Sequence, residues 1–234
     1  MKWYPWLSAR ISSIFIVFCL ICILTPLNIH ARSSSPPGQS GWKKIYLRTG
    51  LDEHLSYKVF AKAMAGRKNW SFPNSDLLTI IDFSQPSSMK RCYVIDLKKE
   101  KLLHRTYVAH GRKTGMTYAR QFSNIPESHQ SSLGFFRTAE TYRGKHGYSL
   151  RLDGLERNIN DQARDRAIVM HAADYADEEF VQQHGRLGRS LGCPALPPDE
   201  SSAIIRQIKE GSCLFVYAND RRYLSMSSAF SPSG

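Results

Sequence analysis

Cys193 stands in the segment Arg189-Ser190-Leu191-Gly192-Cys193-Pro194, and His171 closes the apolar run Ala167-Ile168-Val169-Met170-His171 earlier in the chain. A free thiol titrates near about 8.5 and is only slightly ionised at neutral pH, so a nucleophilic cysteine needs a neighbouring base or positive charge. His171 can supply both, and Arg186 and Arg189 would add positive potential beside the loop. Gly192 leaves its own N–H and that of Cys193 able to point at one oxygen, which would make an oxyanion hole for acyl transfer. A buried cysteine and a surface histidine would have the same spacing, so the pair alone does not decide for catalysis. A metal site from His171, His184 and Cys193 is a rival, but these residues lack the paired short spacings of structural zinc sites, and the loop offers no further carboxylate ligand.

Four other polar residues are candidates for contact with substrate. His110 ends a strand-like run in Val108-Ala109-His110-Gly111, and Asn124 follows Phe122-Ser123. Tyr175 lies four residues beyond His171, where it would orient the imidazole or pack in the core. Arg189 adjoins the cysteine turn and has the planar fork that grips carboxylates.

The run RAIVMHAADYADEEFVQQHGRLGRSLGCPAL, from Arg166 to Leu196, resembles the active-site motif of the YkuD-like L,D-transpeptidases: a strand histidine, a variable loop, then Ser/Thr-x-Gly-Cys. GRSLGCPALP is most similar to the murein L,D-transpeptidase catalytic-domain subfamily. YVIDLKKEKLLHRTYVAHGRKTG and FSNIPESHQSSLGFFRTAETYRGKHGYSLRLDGLE follow that subfamily in the same order, so the likeness covers roughly residues 75 to 225. It implies a mainly β fold with a few peripheral helices, a sandwich or barrel forming a single domain. Cys193 is then the nucleophile and His171 the base that later serves as acid, while Ser190 and Gly192 shape the turn and oxyanion hole. Peptidoglycan peptide stems are the implied partner, and neither metal nor organic cofactor is expected. Cys193 would attack the carbonyl of the third, diamino-acid residue of a tetrapeptide stem, release D-alanine, and pass the acyl group to an amine. Water as acceptor would make a carboxypeptidase, and a free D-amino acid an exchange enzyme. A peptidoglycan-binding module with a degenerate site is the non-enzymatic alternative. Leu191 stands where many members have His, and Ala195 where Asn or Arg is frequent, so the resemblance leaves open how the acceptor is held.

The elements that must position these residues are short β-branched or aromatic runs beginning at Thr79, Arg91, Lys101, Gly134, Tyr148, Ala167 and Cys213, separated by Gly, Pro, Ser and Asn. Helical spacing predicts one amphipathic helix over Leu51 to Met64, and shorter pieces over Gln162 to Arg166, Glu178 to Gln183 and Asp199 to Lys209, the last behind an Asp199 cap. The expected organisation is a signal peptide over 1–31, a flexible linker over 32–44, an N-terminal helical extension over 45–74, a catalytic domain over 75–225 and a tail over 226–234.

The leader reading rests on Lys2 and Arg10 before the apolar stretch Ile11 to Leu24, which Pro26 ends short of bilayer-spanning length. Export to the periplasm or cell envelope follows, and an uncleaved segment would leave loose membrane association. The chain carries a formal charge of +12 at pH 7. That excess favours polyanionic surroundings such as cell-wall polymers or anionic lipid, and nothing in the sequence marks a nucleic-acid module. Beyond the leader the cysteines are Cys92, Cys193 and Cys213. A Cys92–Cys213 bridge with Cys193 free is one arithmetic; two buried free thiols in strands is the other.

Overall fold

A computed structural model describes residues 39–230, so the expected leader, the first part of the linker and the end of the tail lie outside it. Two helices come first, α1 (Gln39–Arg48) and α2 (Tyr57–Gly66), with a 3₁₀ turn over Leu51–Glu53 between them. The single helix expected over Leu51 to Met64 is therefore interrupted. Gly50 takes a left-handed φ of 68° and His54 leaves helical geometry, after which Ser56 restarts the chain by accepting a hydrogen bond from Val59 N–H at 3.4 Å. α1 begins inside the span expected as linker, because Tyr46 is buried beside Phe60 and Tyr57 and gives that helix a face to pack.

Eight strands form one sheet: β1 (Asn74–Asp82), β2 (Cys92–Asp96), β3 (Lys101–Thr106), β4 (Gly134–Gly144), β5 (Gly147–Gly154), β6 (Val169–Ala172), β7 (Ala195–Leu196) and β8 (Ser212–Tyr217). Their order is β3-β2-β1-β8-β4-β5-β6-β7, with β1–β8 and β6–β7 parallel and the other pairs antiparallel. The last strand turns back on the first edge, since Ala195 bridges Ala109 just past β3, with hydrogen bonds of 2.8 and 3.4 Å. The sheet is thus a nearly closed barrel, as the resemblance implied. Closure removes an exposed edge and brings three separate stretches together: the chain after β3, the end of β6, and the loop before β7.

α3 (Glu178–His184), α4 (Pro198–Ile208) and α5 (Arg221–Met226) complete the fold. α4 packs Ile204, Ile205 and Ile208 against β1, β5 and β6, each side chain fully buried. Burying three such residues contributes roughly 1.5–3 kcal/mol apiece. Its start differs from expectation: Pro197 is the boundary residue, Pro198 occupies the first turn, and no side chain caps the helix, so Asp199 is already inside it. The piece expected as helix over Gln162 to Arg166 is a run of turns, with Asn160 rather than a helical ladder holding it: its amide donates to Leu133 and Phe135 carbonyls at 2.9 and 3.0 Å.

The Cys92–Cys213 bridge does not form. β1 lies between the two strands, with Cys92 opposite Ile81 and Cys213 opposite Leu78. Two strand spacings are about 9.5 Å, beyond disulfide reach. Both thiols are free, buried and pushed up to about 12 by desolvation.

Candidate active site

The turn bearing Cys193 is fastened from several sides. Ser190 Oγ accepts the Gly192 N–H at 3.0 Å and donates to the Cys193 carbonyl at 2.6 Å, so one hydroxyl closes the turn on itself. Gly192 has φ 127°, and a Cβ there would lie 2.9 Å from the Gln130 carbonyl, which restricts the position to glycine. Ser131 Oγ accepts from Gly111 N–H and donates to the Gly192 carbonyl, both at 3.0 Å. Ser190 is further held by backbone bonds to His110 and Arg112 at 3.0 and 2.7 Å. This network corrects the expectation that Gly192 N–H serves an oxyanion: in the described structure that donor is already committed to Ser190.

β6 lies alongside. Its parallel register pairs His171 with Ala195, so two residues earlier Val169 falls level with Cys193. Val169 N–H donates to the Cys193 sulfur at 3.4 Å, and the thiol donates to the Ala167 carbonyl at 3.5 Å. His171 is on the same strand face as Val169 and is only 3% exposed. Its Nδ1 lies 2.8 Å from the Ala172 carbonyl. A carbonyl can only accept, so the proton sits on Nδ1 and the lone pair on Nε2. The ring of His146, at the exposed tip between β4 and β5, stacks on His171 with centroids 4.5 Å apart and planes at 28°.

Electrostatics set the resting charge state. Burial pulls His171 below the ordinary histidine value, helped by His146 and opposed by the Ala172 carbonyl. Burial also pushes the Cys193 thiol up, against the Val169 N–H, the Arg166 guanidinium and its own N–H. The pair therefore rests as neutral thiol and neutral imidazole, which is a base with its lone pair available rather than a preformed ion pair.

The remaining candidates fall in different places. His110 is fully buried: Arg91 Nη2 donates to its Nδ1 at 2.8 Å and its Nε2 reaches the Gly115 carbonyl at 3.3 Å. Desolvation, then Arg91, lowers it to about 3, so it is a neutral support beneath the site and not a cleft residue. Arg189 donates from Nη1 to the Arg112 and Gly115 carbonyls at 3.1 and 3.3 Å, which turns that nitrogen inward from any substrate. Asn124 bridges Asp161 Oδ1 and Gln162 N–H at 2.7 and 3.1 Å and lines a cavity of about 320 Å³ that includes neither Cys193 nor His171. Tyr175 packs against Gly188 and is pushed up to about 12, by burial first and then by the influence of Cys193, so it stays protonated. His184 stacks on Phe180 on α3, away from any metal grouping; among the described residues no three His, Cys, Asp or Glu side chains are gathered to hold a metal. Leu191 is 59% exposed at the lip of the turn, whereas Ala195 is buried between His171 and Ala109, where its backbone pairs the strands and its side chain offers no polar group.

Sequence reasoning missed Arg91, Ser131, Arg166 and His146. Arg166 donates to the Ser123 and Gln130 carbonyls at 2.6 and 2.7 Å and so ties the loop over 123–132 beside Cys193. Only its place at the head of the His171 run hinted at it, and His146 had no signal beyond lying between two glycines in a hairpin.

A nearly closed barrel with a thiol and an imidazole at its seam defines a class, and comparison gives the family. The L,D-transpeptidase catalytic domain matches residues 51–217, and the chain belongs to that family. Similar solved structures include an L,D-transpeptidase from Mycobacterium smegmatis, 14% identical, covering 62% of this chain and 59% of that one at a TM-score of 0.39. Another is the helical cell shape determining protein Pgp2 (K307A mutant) from Campylobacter jejuni, 12% identical, covering 64% and 50% at 0.42. An L,D-transpeptidase from Stackebrandtia nassauensis is 14% identical and covers 78% of each chain at 0.38. The chain thus spans about three-fifths or less of the first two relatives. No curated protein matches it.

Proposed function

We propose that this protein is a cysteine acyltransferase of cell-wall peptide stems, exported to the envelope, with Cys193 as nucleophile and His171 as base. The observation that carries the reading is the paired arrangement on β6: the Cys193 sulfur beside Val169 N–H, and two residues on an imidazole whose Nδ1 is held by the Ala172 carbonyl. In the first step His171 Nε2 takes the thiol proton, and the sulfur attacks the carbonyl that precedes the terminal D-alanine. The C–N bond breaks, the imidazolium protonates the leaving amine, and a thioester remains on Cys193. In the second step an acceptor amine attacks the thioester, its proton passes to His171 and then to the sulfur, and the C–S bond breaks. The N–H of Val169, which already donates to the sulfur, and that of Cys193 favour the thiolate as it forms.

The test is incubation with disaccharide-tetrapeptide and analysis of products by mass, beside Cys193→Ala. Cross-linked dimer with loss of D-alanine is the expected product, and trimmed tripeptide alone would assign water as the acceptor. Binding without release of D-alanine by either protein would overturn the enzymatic reading.

A further inference from the structure

Two grooves flank the start of α4, and their charges are opposite. One, of about 400 Å³, is lined by Asp177, Glu178, Glu179, Asp199 and Glu200 with Lys90. The other, of about 480 Å³, runs between the β4–β5 hairpin tip and α4; it is lined by Arg143, His146, Ala172, Ser202 and Arg206 among others, with no carboxylate in its wall. It adjoins His171, because His146 in its wall stacks on that ring and Ala172, also in its wall, is the next residue on β6. Along β6 the order is Val169 at the sulfur, His171, then the groove.

Its arginines are free for a ligand. Among the described residues Arg206 has no ion-pair or hydrogen-bond partner, and Arg143 touches only the Tyr148 ring, 5.8 Å from its centroid. Nearby Arg151 and Arg164, by contrast, are paired with Glu140. The cysteine turn offers no substitute: Leu191 is apolar, Ala195 is buried, and Arg189 is occupied by backbone carbonyls.

We propose that this groove is the acceptor site, and that Arg143 and Arg206 hold a carboxylate of the amine that resolves the thioester. The inference rests on the thioester reading above. An incoming amine must surrender its proton to His171, and the groove adjoins that residue through His146 and Ala172. Acceptors drawn from wall peptides or free amino acids carry carboxylates, and a guanidinium forks onto such a group. The carboxylate is held while the amine nitrogen forms its bond to the thioester carbonyl and the C–S bond breaks.

The experiment compares two acceptors, deuterated D-alanine and ethylamine, which is the same amine without the carboxylate. The full chain acts on unlabelled tetrapeptide, and incorporation of each amine is followed by mass. In Arg143→Gln/Arg206→Gln the KM for D-alanine should rise about tenfold, the loss of one good charged contact, while the KM for ethylamine stays as in wild type. Arg157→Gln, an exposed arginine outside the groove, should change neither. If both KM values move together, or neither does, the groove is not a carboxylate site. Release of D-alanine measured without any added acceptor reports the thioester reading separately: its absence in wild type overturns both proposals, whereas normal release with unchanged acceptor KM overturns this one alone.

Discussion

The two sides of the proposed catalytic pair, Cys193 and His171, are built differently. On the sulfur side, Ser190, Ser131, Gly111 and Gly192 form a buried hydrogen-bonded knot that leaves the turn one conformation. On the imidazole side, the covering element is an exposed hairpin tip, Gly144 to Gly147, whose His146 lies on His171 by ring stacking. A reacting atom has to be placed within fractions of an ångström, and a buried polar network does that. Under the proposed mechanism the base meets two successive amines and needs a cover that substrate can displace, and a ring stack of modest energy provides one. Rigidity therefore belongs to the Cys193 side and access to the His171 side.

The largest break in that comparison is removal of the sulfur itself. Cys193→Ala should cut D-alanine release by at least about a thousandfold while leaving the melting temperature near wild type, as followed by amino-acid analysis and thermal unfolding. Next comes the knot. Gly192→Ala forces a side chain into the left-handed region against the Gln130 carbonyl and should cost about 2 kcal/mol or more, read as a drop of several degrees in Tm. Ser190→Ala unpairs the Gly192 N–H and the Cys193 carbonyl; kcat should fall between about ten- and a hundredfold, with a smaller change in KM.

The smallest effect belongs to the hairpin. His171 is competent when neutral, and its pKa lies below the ordinary 6.5, so activity should be retained at neutral pH and lost only as pH falls through that lowered value. His146→Ala removes part of the cover and a like charge, both of which lower the pKa. The acid limb of kcat/KM should therefore move upward in pH, with little change on the plateau. An unchanged limb would mean that the stack has no electrostatic influence on the base.

Much of this arrangement was legible in the sequence, and the omissions have physical reasons. Each of the seven β-rich runs became a strand, most of them because alternating or continuous burial left a clear apolar signal, while β3 is largely half-buried and is held by pairing with β2. β7 escaped because it is two residues, Ala195 and Leu196, made into a strand by β6 and Ala109 rather than by its own composition. Only the start of α1 escaped, because residues 39–44 read as linker, whereas Tyr46, which packs against Phe60, lies in the span expected as helical extension. Cys193, His171 and Ser190 were visible as a local motif. The supports were not: Ser131 and Arg91 come from distant parts of the chain that only barrel closure brings under the site, and a local pattern carries no trace of that. His110 misled for the same reason, since a strand-end histidine looks available until Arg91 is found bonded to it.

The most direct test of the central claim is an acid-quenched digest of protein caught during turnover of tetrapeptide. The peptide containing Cys193 should carry the mass of the acyl stem lacking D-alanine, lost on treatment with hydroxylamine and absent in Cys193→Ala. Release of D-alanine at the wild-type rate by Cys193→Ala, or an acyl adduct found on any other residue, would contradict it.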